Sequence, residues 1–344
     1  QLGLPNVSVL VAAYNEASCI GPRIENLLAQ DYPSDKLEII VGSDASSDGT
    51  DAIVQHYAAR GVKLSRGERA GKAGVLARLI GLAKGEVLVL TDANSEFDKD
   101  AIRRLVQPLR DPAVGLVCGR LRLHSPLGAP VAEGAYWKLE SVLKLYESRR
   151  GCVMGANGGI YAVRKHLFPP LPAGTVVDDF VAALRVLQNG YEVLYEPEAV
   201  AHEEAAPGHA DEYKRRVRIA AGGFRALAQF RDLLSPRHGF TSFALWSHKV
   251  LRWFVPQALV VAMATNAMLA PHSRFFSAML FAQCGAYLLA ALGLLGLSPR
   301  KLGKLPDAAA HFVEMNAALL VGFWRFSRGQ QGQTWTRTER VKAA

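Results

Sequence analysis

The chain is predicted to be an α/β protein: a mostly parallel sheet wrapped by helices, then an interface helix and C-terminal transmembrane helices. Three observations carry this. Short apolar, β-branched runs alternate with helical spacing over the first hundred residues. Successive strand-like runs end in an acid, at Glu16, Asp44 and Asp92. The apolar excess collects after about residue 250.

Asn6 to Ala13 reads as a buried strand and is followed by Tyr14-Asn15-Glu16. Residues 18 to 30 carry Ile20, Ile24, Leu27 and Leu28 at helical spacing, closed by Tyr32-Pro33. Leu37 to Val41 is a second strand, ending in Gly42-Ser43-Asp44. Ser46-Ser47-Asp48-Gly49-Thr50 is a turn and cap cluster leading a helix to about Ala59. Val62 to Ser65 is a short third strand, and Gly71-Lys72-Ala73-Gly74 opens a helix to about Lys84. Val87 to Leu90 is a fully apolar strand that delivers Asp92 and Asn94 to its exit.

In a parallel sheet these C-terminal ends share one edge, where open α/β sheets bind ligands. Acids gathered on one edge repel each other unless a cation or a nucleotide hydroxyl meets them. Asp92 and Asn94 offer the oxygen ligands that Mg²⁺ or Mn²⁺ takes beside a phosphate. Lys72 lies at a helix start, where backbone N–H groups also favour anions, and suits a diphosphate. A polar strand-to-helix turn and a solvated lysine are the plainer readings of the same residues.

In order, Ala12-Ala13-Tyr14-Asn15-Glu16, Gly42 to Thr50, Gly71-Lys72-Ala73-Gly74 and Thr91-Asp92-Ala93-Asn94 resemble the inverting family 2 glycosyltransferases of GT-A fold. The likeness covers roughly residues 5 to 235 and extends to cellulose, chitin, hyaluronan and poly-N-acetylglucosamine synthase-like enzymes. It implies a nucleotide-diphosphate sugar donor, UDP-linked, held by Ala13, Tyr14, Glu16, Asp44, Lys72 and Asp92. Two departures stand out: D-x-N replaces the usual D-x-D, and Ala77 stands where many relatives carry Asn.

The acceptor half begins with a helix over Glu133 to Arg150 and a glycine-dense stretch from Gly151 to Gly159, with Asn157 as its polar candidate, before a strand at Ile160 to Val163. Asp178-Asp179 precedes another helix and could cap it. Inverting transfer also needs a general base for the acceptor hydroxyl. The resemblance makes Asp179 that base and Asp178 its neighbour, and, as in some relatives, it makes His202 a third metal ligand, where a structural or surface histidine is the plainer reading. Tyr213 to Ile219 resembles the Q-x-x-R-W element of processive members, with Arg218 in the arginine place, Arg215 in the glutamine place and Ile219 for the tryptophan. Arginines suit phosphate contacts.

Half of the 344 residues are hydrophobic, the mean hydropathy is +0.09, the net charge is +9 and the pI about 9.4. A basic chain can serve nucleic acid, membranes or phosphorylated ligands. No zinc-finger spacing or aromatic-basic RNA signature is present, so no nucleic-acid partner is expected. Cys19, Cys118, Cys152 and Cys284 are scattered, which argues against a disulfide framework and fits a reducing compartment. No signal peptide is visible, and because Gln1 runs almost at once into a strand, a preceding segment is expected.

Val217, Ala220, Ala221, Phe224, Leu227 and Ala228 make an amphipathic helix with arginines around it, suited to lipid headgroups. Phe254 to Ala270 and Phe275 to Leu297 are uncharged apolar runs, flanked by Lys249 and Arg252 before and Arg300, Lys301 and Lys304 after. Ala308 to Phe326 is a third, more polar run. The expected division is a catalytic domain over 1–208, interface helices over 209–250, transmembrane helices over 251–326 and a basic tail over 327–344.

The expectation is a multi-pass enzyme of the cell inner membrane with its catalytic domain in the cytosol. It would build a β-linked poly- or oligosaccharide, with accessory export or regulatory subunits as further partners. Transfer to a lipid acceptor, polyprenyl phosphate or a glycolipid headgroup, is the alternative. A catalytically silent nucleotide-sugar-binding partner is the rival outside enzymology, disfavoured by the presence of Asp44, Asp92 and Asp179 together.

Overall fold

A computed structural model describes residues 3–124, 135–172, 174–204, 209–297 and 302–330. The start of the expected helix at Glu133, the side chain of Trp137, the boundary at 208, Arg300, Lys301 and the tail beyond 330 lie outside the described residues. The chain divides into two compact units. One comprises Gln1–Pro207 and Ala226–Leu245, the other Gly208–Arg225 and Trp246–Gln331.

The first unit is built on an eight-stranded sheet. Its chain order is β1 (Val7–Ala13), α1 (Ile20–Leu28), β2 (Leu37–Asp44), α2 (Thr50–His56), β3 (Val62–Gly67), α3 (Gly71–Leu82), β4 (Val87–Asp92) and the short β5 (Glu96–Phe97). Then come α4 (Ala101–Val106), β6 (Val114–His124), α5 (Ala135–Ser148), β7 (Tyr161–Arg164), α6 (Asp178–Gln188) and β8 (Glu192–Glu204). The spatial order is β3-β2-β1-β4-β7-β6-β8-β5. The half from β3 to β4 is parallel, with Ala12 beside both Gly42 and Asp92. β7 then runs antiparallel between β4 and β6, while β8 is parallel to β6 and antiparallel to β5. The sheet is therefore mixed, and parallel throughout only in the half where strands and helices alternate strictly.

Every residue of β1 is buried, as its unbroken apolar run requires of a strand covered on both faces. Val9, Val11, Ile24, Leu27, Val89 and Ile102 belong to the core cluster beneath the sheet. Gly42 is where α3 closes on β2: a Cβ there would lie 2.4 Å from Val75 and 3.0 Å from Leu79. That close approach brings the first turn of α3 to the end of β2. At the same edge two non-glycine residues adopt left-handed backbone, Asn15 (φ 54°) and Ala45 (φ 57°), each just after a parallel strand. Such conformations cost free energy and persist where surrounding structure fixes them.

The second unit is helical. The first part of α7 (His209–Gln229) belongs to it and, after α8 (Phe240–Ala244) of the first unit, so do α9 (Leu251–Trp253), α10 (Val255–Leu269), α11 (Arg274–Leu294) and α12 (Leu305–Ser327); a π-helical segment, Leu245–Val250, precedes α9. The apolar face of α7 is occupied by protein. Phe224 packs edge-on against Trp253, Phe254 and Phe323, and Ala220 meets Gly322. Lipid is not needed to cover that face.

Among the described residues one helix, α11, is long and apolar enough to cross a membrane. A second would count only if Phe240–Trp253 and Val255–His272, bent by 57° at their junction, formed one span. The expected run from Phe254 to Ala270 folds mainly as the 15-residue α10. At 1.5 Å per residue that is about 22 Å, short of a hydrocarbon core of about 30 Å. Of the two expected spans, the described residues thus give one as a single continuous helix and the other only as part of a bent pair. Almost none of the apolar window of α11 is buried among the described residues.

Candidate active site

The parallel edge is assembled by polar bonds between neighbouring turns. The Asn15 N–H donates to Ser46 Oγ at 3.1 Å, the Glu16 N–H to Thr50 Oγ1 at 2.8 Å and the Ala17 N–H to Asp48 Oδ2 at 3.0 Å. Asn15 Oδ1 in turn accepts the Ser47 N–H at 2.8 Å. The serine- and aspartate-rich cluster is thus a scaffold that fixes Tyr14, Asn15 and Glu16 after β1.

Asp44 is fully buried and accepts the N–H groups of Ala70, at 2.7 Å, and Gly71, at 3.1 Å. A carboxylate on the first turn of α3 satisfies donors that the helix leaves unpaired. The anion that sequence reasoning placed at this helix start is therefore, in part, the protein's own. Arg69 pairs with Asp44 and lays its guanidinium over the Tyr14 ring, 3.2 Å from the centroid. Tyr14 and Asp44 are brought together by an arginine that the motifs did not single out. Ala13 ends β1 beside Ser43.

The next group is ionic. Lys72 Nζ lies 2.9 Å from Asp92 Oδ1 and 3.4 Å from Asp178 Oδ1. Burial alone would lower the Lys72 pKa, but Asp178, Asp92 and Asp179 outweigh it and hold the ammonium charged well above its ordinary range. Asp178, 3% exposed, also accepts the Tyr161 hydroxyl at 3.2 Å. Burial and Asp178 push the Tyr161 phenol far up, so it stays a donor. Asp179 starts α6 beside it, partly open, and its Oδ1 accepts the Phe180 N–H at 2.8 Å. Desolvation, then the Asp178 charge, raise the Asp179 pKa to about 6, with Lys72, the Phe180 N–H and Lys144 pulling the other way. A carboxylate tuned toward neutrality is suited to general-base work. Lys72 therefore joins Asp92 at the end of β4 to Asp178 at the start of α6.

Beneath this edge lies Arg23, nearly buried, donating to Thr91 Oγ1 at 2.8 Å and stacked on Phe97. Burial lowers its pKa to about 9, with Asp92 and Glu96 opposing. Thr91 Oγ1 donates in turn to the Gly159 carbonyl at 2.8 Å, so α1, β4 and the glycine-dense loop are tied together. Asn157 faces inward: its Oδ1 accepts Lys144 Nζ at 2.6 Å and its Nδ2 donates to the Gly119 carbonyl at 2.6 Å.

For a divalent cation the donor set is the Asp92 carboxylate and the Asn94 amide oxygen, both hard ligands. Asn94 Nδ2 donates to Glu203 Oε1 at 2.9 Å, adding a second carboxylate beside the amide. Oxygen donors of this kind fit Mg²⁺ or Mn²⁺ completed by phosphate oxygens, although the described residues contain no group of three His, Cys, Asp or Glu side chains poised around one point. His202 does not join them as it stands. Its Nε2 is 3.0 Å from Asp98 Oδ1 and its Nδ1 is 2.7 Å from His124 Nε2, with the two rings stacked. Ligation would require one of those bonds to break. Arg215 and Arg218 lie on the exposed side of α7 in the second unit, where Arg215 pairs with Glu212 at 3.4 Å.

Comparison with known proteins bears directly on this arrangement. The glycosyl transferase family 2 model matches residues 8–162. A solved structure, the mannosyltransferase PcManGT from Pyrobaculum calidifontis in complex with GDP-Man and Mn²⁺, is 26% identical with a TM-score of 0.70, covering 96% of this chain and 89% of that one. The beta-monoglucosyldiacylglycerol synthase of Synechocystis is 25% identical over 274 residues, 74% of this chain and 56% of that protein. The poly-beta-1,6-N-acetyl-D-glucosamine synthase of Staphylococcus aureus is 27% identical over 240 residues, 67% of this chain and 57% of that protein. The chain thus spans little more than half the length of these curated relatives. The model for glycosyl transferase family group 2 matches residues 87–294, more than half of the chain, and the chain belongs to that family of glycosyltransferases.

Proposed function

We propose that the chain transfers a sugar from a nucleotide-diphosphate donor to an acceptor hydroxyl with inversion, giving a β-linked poly- or oligosaccharide. The observation that carries this is the Lys72–Asp92–Asp178 ion group with the raised Asp179 carboxylate at its acceptor end. Tyr14, Asp44 and Arg69 receive the nucleoside, and Glu16 and Ala13 shape the turn around it. A divalent cation held by Asp92 and Asn94 would neutralise charge on the leaving diphosphate. Lys72 supports the diphosphate from the other side, and Asp179 takes the acceptor proton as the new bond forms. Asp178, held by Tyr161 and Lys72, keeps Asp179 from relaxing away and raises its basicity. Arg215 and Arg218 belong to the processive element in this reading, and His202 is its third metal ligand once freed from Asp98.

The donor base is UDP by family likeness, although the solved relative holds GDP-Man. A lipid acceptor is the second reading. It is favoured by the similarity to a glucosyldiacylglycerol synthase and by the exposed apolar residues Leu139, Val142 and Tyr146 on α5 with Phe240 and Phe243 nearby in sequence to the second unit. The catalytic unit faces the cytosol and the apolar helices hold it at the membrane, with α11 as the span. Retention in the membrane after an alkaline carbonate wash is the expected result; release by salt alone would leave charge as the whole attachment.

The test of the activity incubates membranes holding the chain with radiolabelled UDP-glucose, UDP-N-acetylglucosamine and GDP-mannose in turn. A labelled, water-soluble polymer supports the first reading. An organic-soluble product supports the second. No product with any donor would leave a nucleotide-sugar-binding protein without transfer, and the proposal would fail.

A further inference from the structure

Lys144 is the buried charge that the transfer scheme leaves without a task. It stands on α5 and is 6% exposed. Its ammonium donates to Asn157 Oδ1 at 2.6 Å, lies 3.7 Å from Cys118 Sγ and sits 5.9 Å from the centre of the Tyr195 ring. Among the described residues it makes no ion pair. Removing an ammonium from water without a carboxylate partner is costly, so such a residue persists only where something else needs its charge or its bonds.

Its hydrogen-bond partner indicates what that is. Asn157 is held from three sides: by Lys144, by the Gly119 carbonyl and, through its own N–H, by Cys118 Sγ at 3.2 Å. The next residue, Gly158, is the point at which the loop meets the ion group. A Cβ on Gly158 would stand 3.4 Å from Asp179 Oδ2 and 3.8 Å from Lys72 Nζ. The path from Lys144 through Asn157 to Gly158 ends against the carboxylate assigned as base.

We propose that Lys144 is a positioning residue for sugar transfer, which fixes the loop beside Asp179 through Asn157 and Gly158 and adds its positive charge to that of Lys72 near this carboxylate. This rests on the glycosyltransferase reading given above. The titratable groups that interact with Asp179 are Asp178 from its own helix, Lys72 from α3, Lys144 from α5, Tyr161 from β7 and Cys118 from β6. Lys144 keeps its proton despite burial because Cys118, Glu140, Tyr195 and Asp179 favour the charged form. Removing that charge makes Asp179 harder to ionise, so the acid limb of activity moves to higher pH. Lys144→Arg restores the charge; Lys144→Met fills the space without it.

The experiment uses the full chain and whichever of UDP-glucose, UDP-N-acetylglucosamine or GDP-mannose the wild type turns over. Nucleoside diphosphate release is followed across the pH range, with donor affinity and thermal unfolding measured on the same preparations. Lys144→Met is expected to move the acid limb of kcat to higher pH, in line with the loss of an opposite charge that favours the ionised carboxylate. Its donor affinity stays that of the wild type, and Lys144→Arg returns the limb toward the wild-type position. Asn157→Leu probes the link from its other end: turnover falls while the limb stays, because the cation remains. An unmoved limb in Lys144→Met overturns the inference. Loss of donor binding or of cooperative unfolding in both Lys144 variants makes the residue a packing element and also overturns it, as does wild-type turnover in Asn157→Leu. A wild type that turns over no donor defeats the transfer reading itself, and this inference with it.

Discussion

The two sides of the site are held by different physics. On the donor side, β1, β2 and β4 lie side by side in parallel, and turn-to-turn hydrogen bonds fix Tyr14, Asn15 and Glu16 against Ser46 to Thr50. Many of the partners are backbone groups, and the acids are met by N–H groups or by Arg69 and Lys72. On the acceptor side an antiparallel strand, a glycine-dense loop and a helix start converge, and the loop is secured by buried side chains from distant elements, Lys144 and Arg23. The donor side is a preformed cradle. The acceptor side is a set of charges balanced against one another, with Lys72 spanning both. On the proposed function, donor binding and proton removal should be separable by mutation, except at Lys72.

That separation can be broken in several ways, and the largest effect comes from the cation. Chelation with excess EDTA is expected to abolish transfer, because charge on the leaving diphosphate is then met by Lys72 alone; full activity in EDTA would remove Asp92 and Asn94 from a metal role. Next, Asp44→Asn is expected to raise the donor KM by about 10–100-fold, the range for losing a charge-assisted hydrogen bond of about 1.5–3 kcal/mol, with kcat changed far less. A fall confined to kcat would merge the two sides. The pH profile follows. Protonated Asp179 cannot accept a proton, and its pKa is raised to about 6. Turnover should therefore decline as pH drops through about 6, while donor affinity, measured by titration over the same range, holds to lower pH. The smallest effect belongs to Asn94→Asp, which swaps an amide oxygen for a carboxylate at the same place and should leave turnover nearly unchanged and lower the Mn²⁺ concentration needed for half activity.

The donor side was legible because its signals are local. Apolar runs from Val7 and Val87 end in polar residues, and parallel order sets those ends along one edge. Register then places Ala12 beside Asp92 without further information. Arg69 was not legible, since a loop arginine shows nothing in sequence of the ring and carboxylate it will reach. The acceptor side hid more. Val114–His124 carries Gly115 and Gly119 in its first half, which weaken a strand signal, yet it pairs along its whole length with β8. Lys144 follows the pattern of a solvated helix lysine and turns out to be buried. Asn157, the polar candidate of the glycine-dense loop, bonds through its side chain to Lys144 and the Gly119 carbonyl, which no local pattern shows. His202 was read for metal, and its β-strand register sets it against Glu96 and within reach of Asp98. Charge and residue type reveal what a side chain can do; which neighbour it meets depends on strand order, and that was open until the antiparallel insertion of β7 was seen.

The measurement that bears most directly on this account is donor affinity beside turnover in Asp179→Asn. The substitution keeps the shape of the side chain and removes proton acceptance. A general base contributes about 10²–10⁴-fold to rate, so turnover should fall by at least about a hundredfold. Calorimetric titration of the same preparation should find nucleotide-sugar affinity within a few-fold of wild type, because the proposed donor contacts are Glu16, Asp44, Lys72 and Asp92. Near-normal turnover would contradict the assignment of the base. Loss of donor binding would place Asp179 in the donor site and erase the division between the two sides.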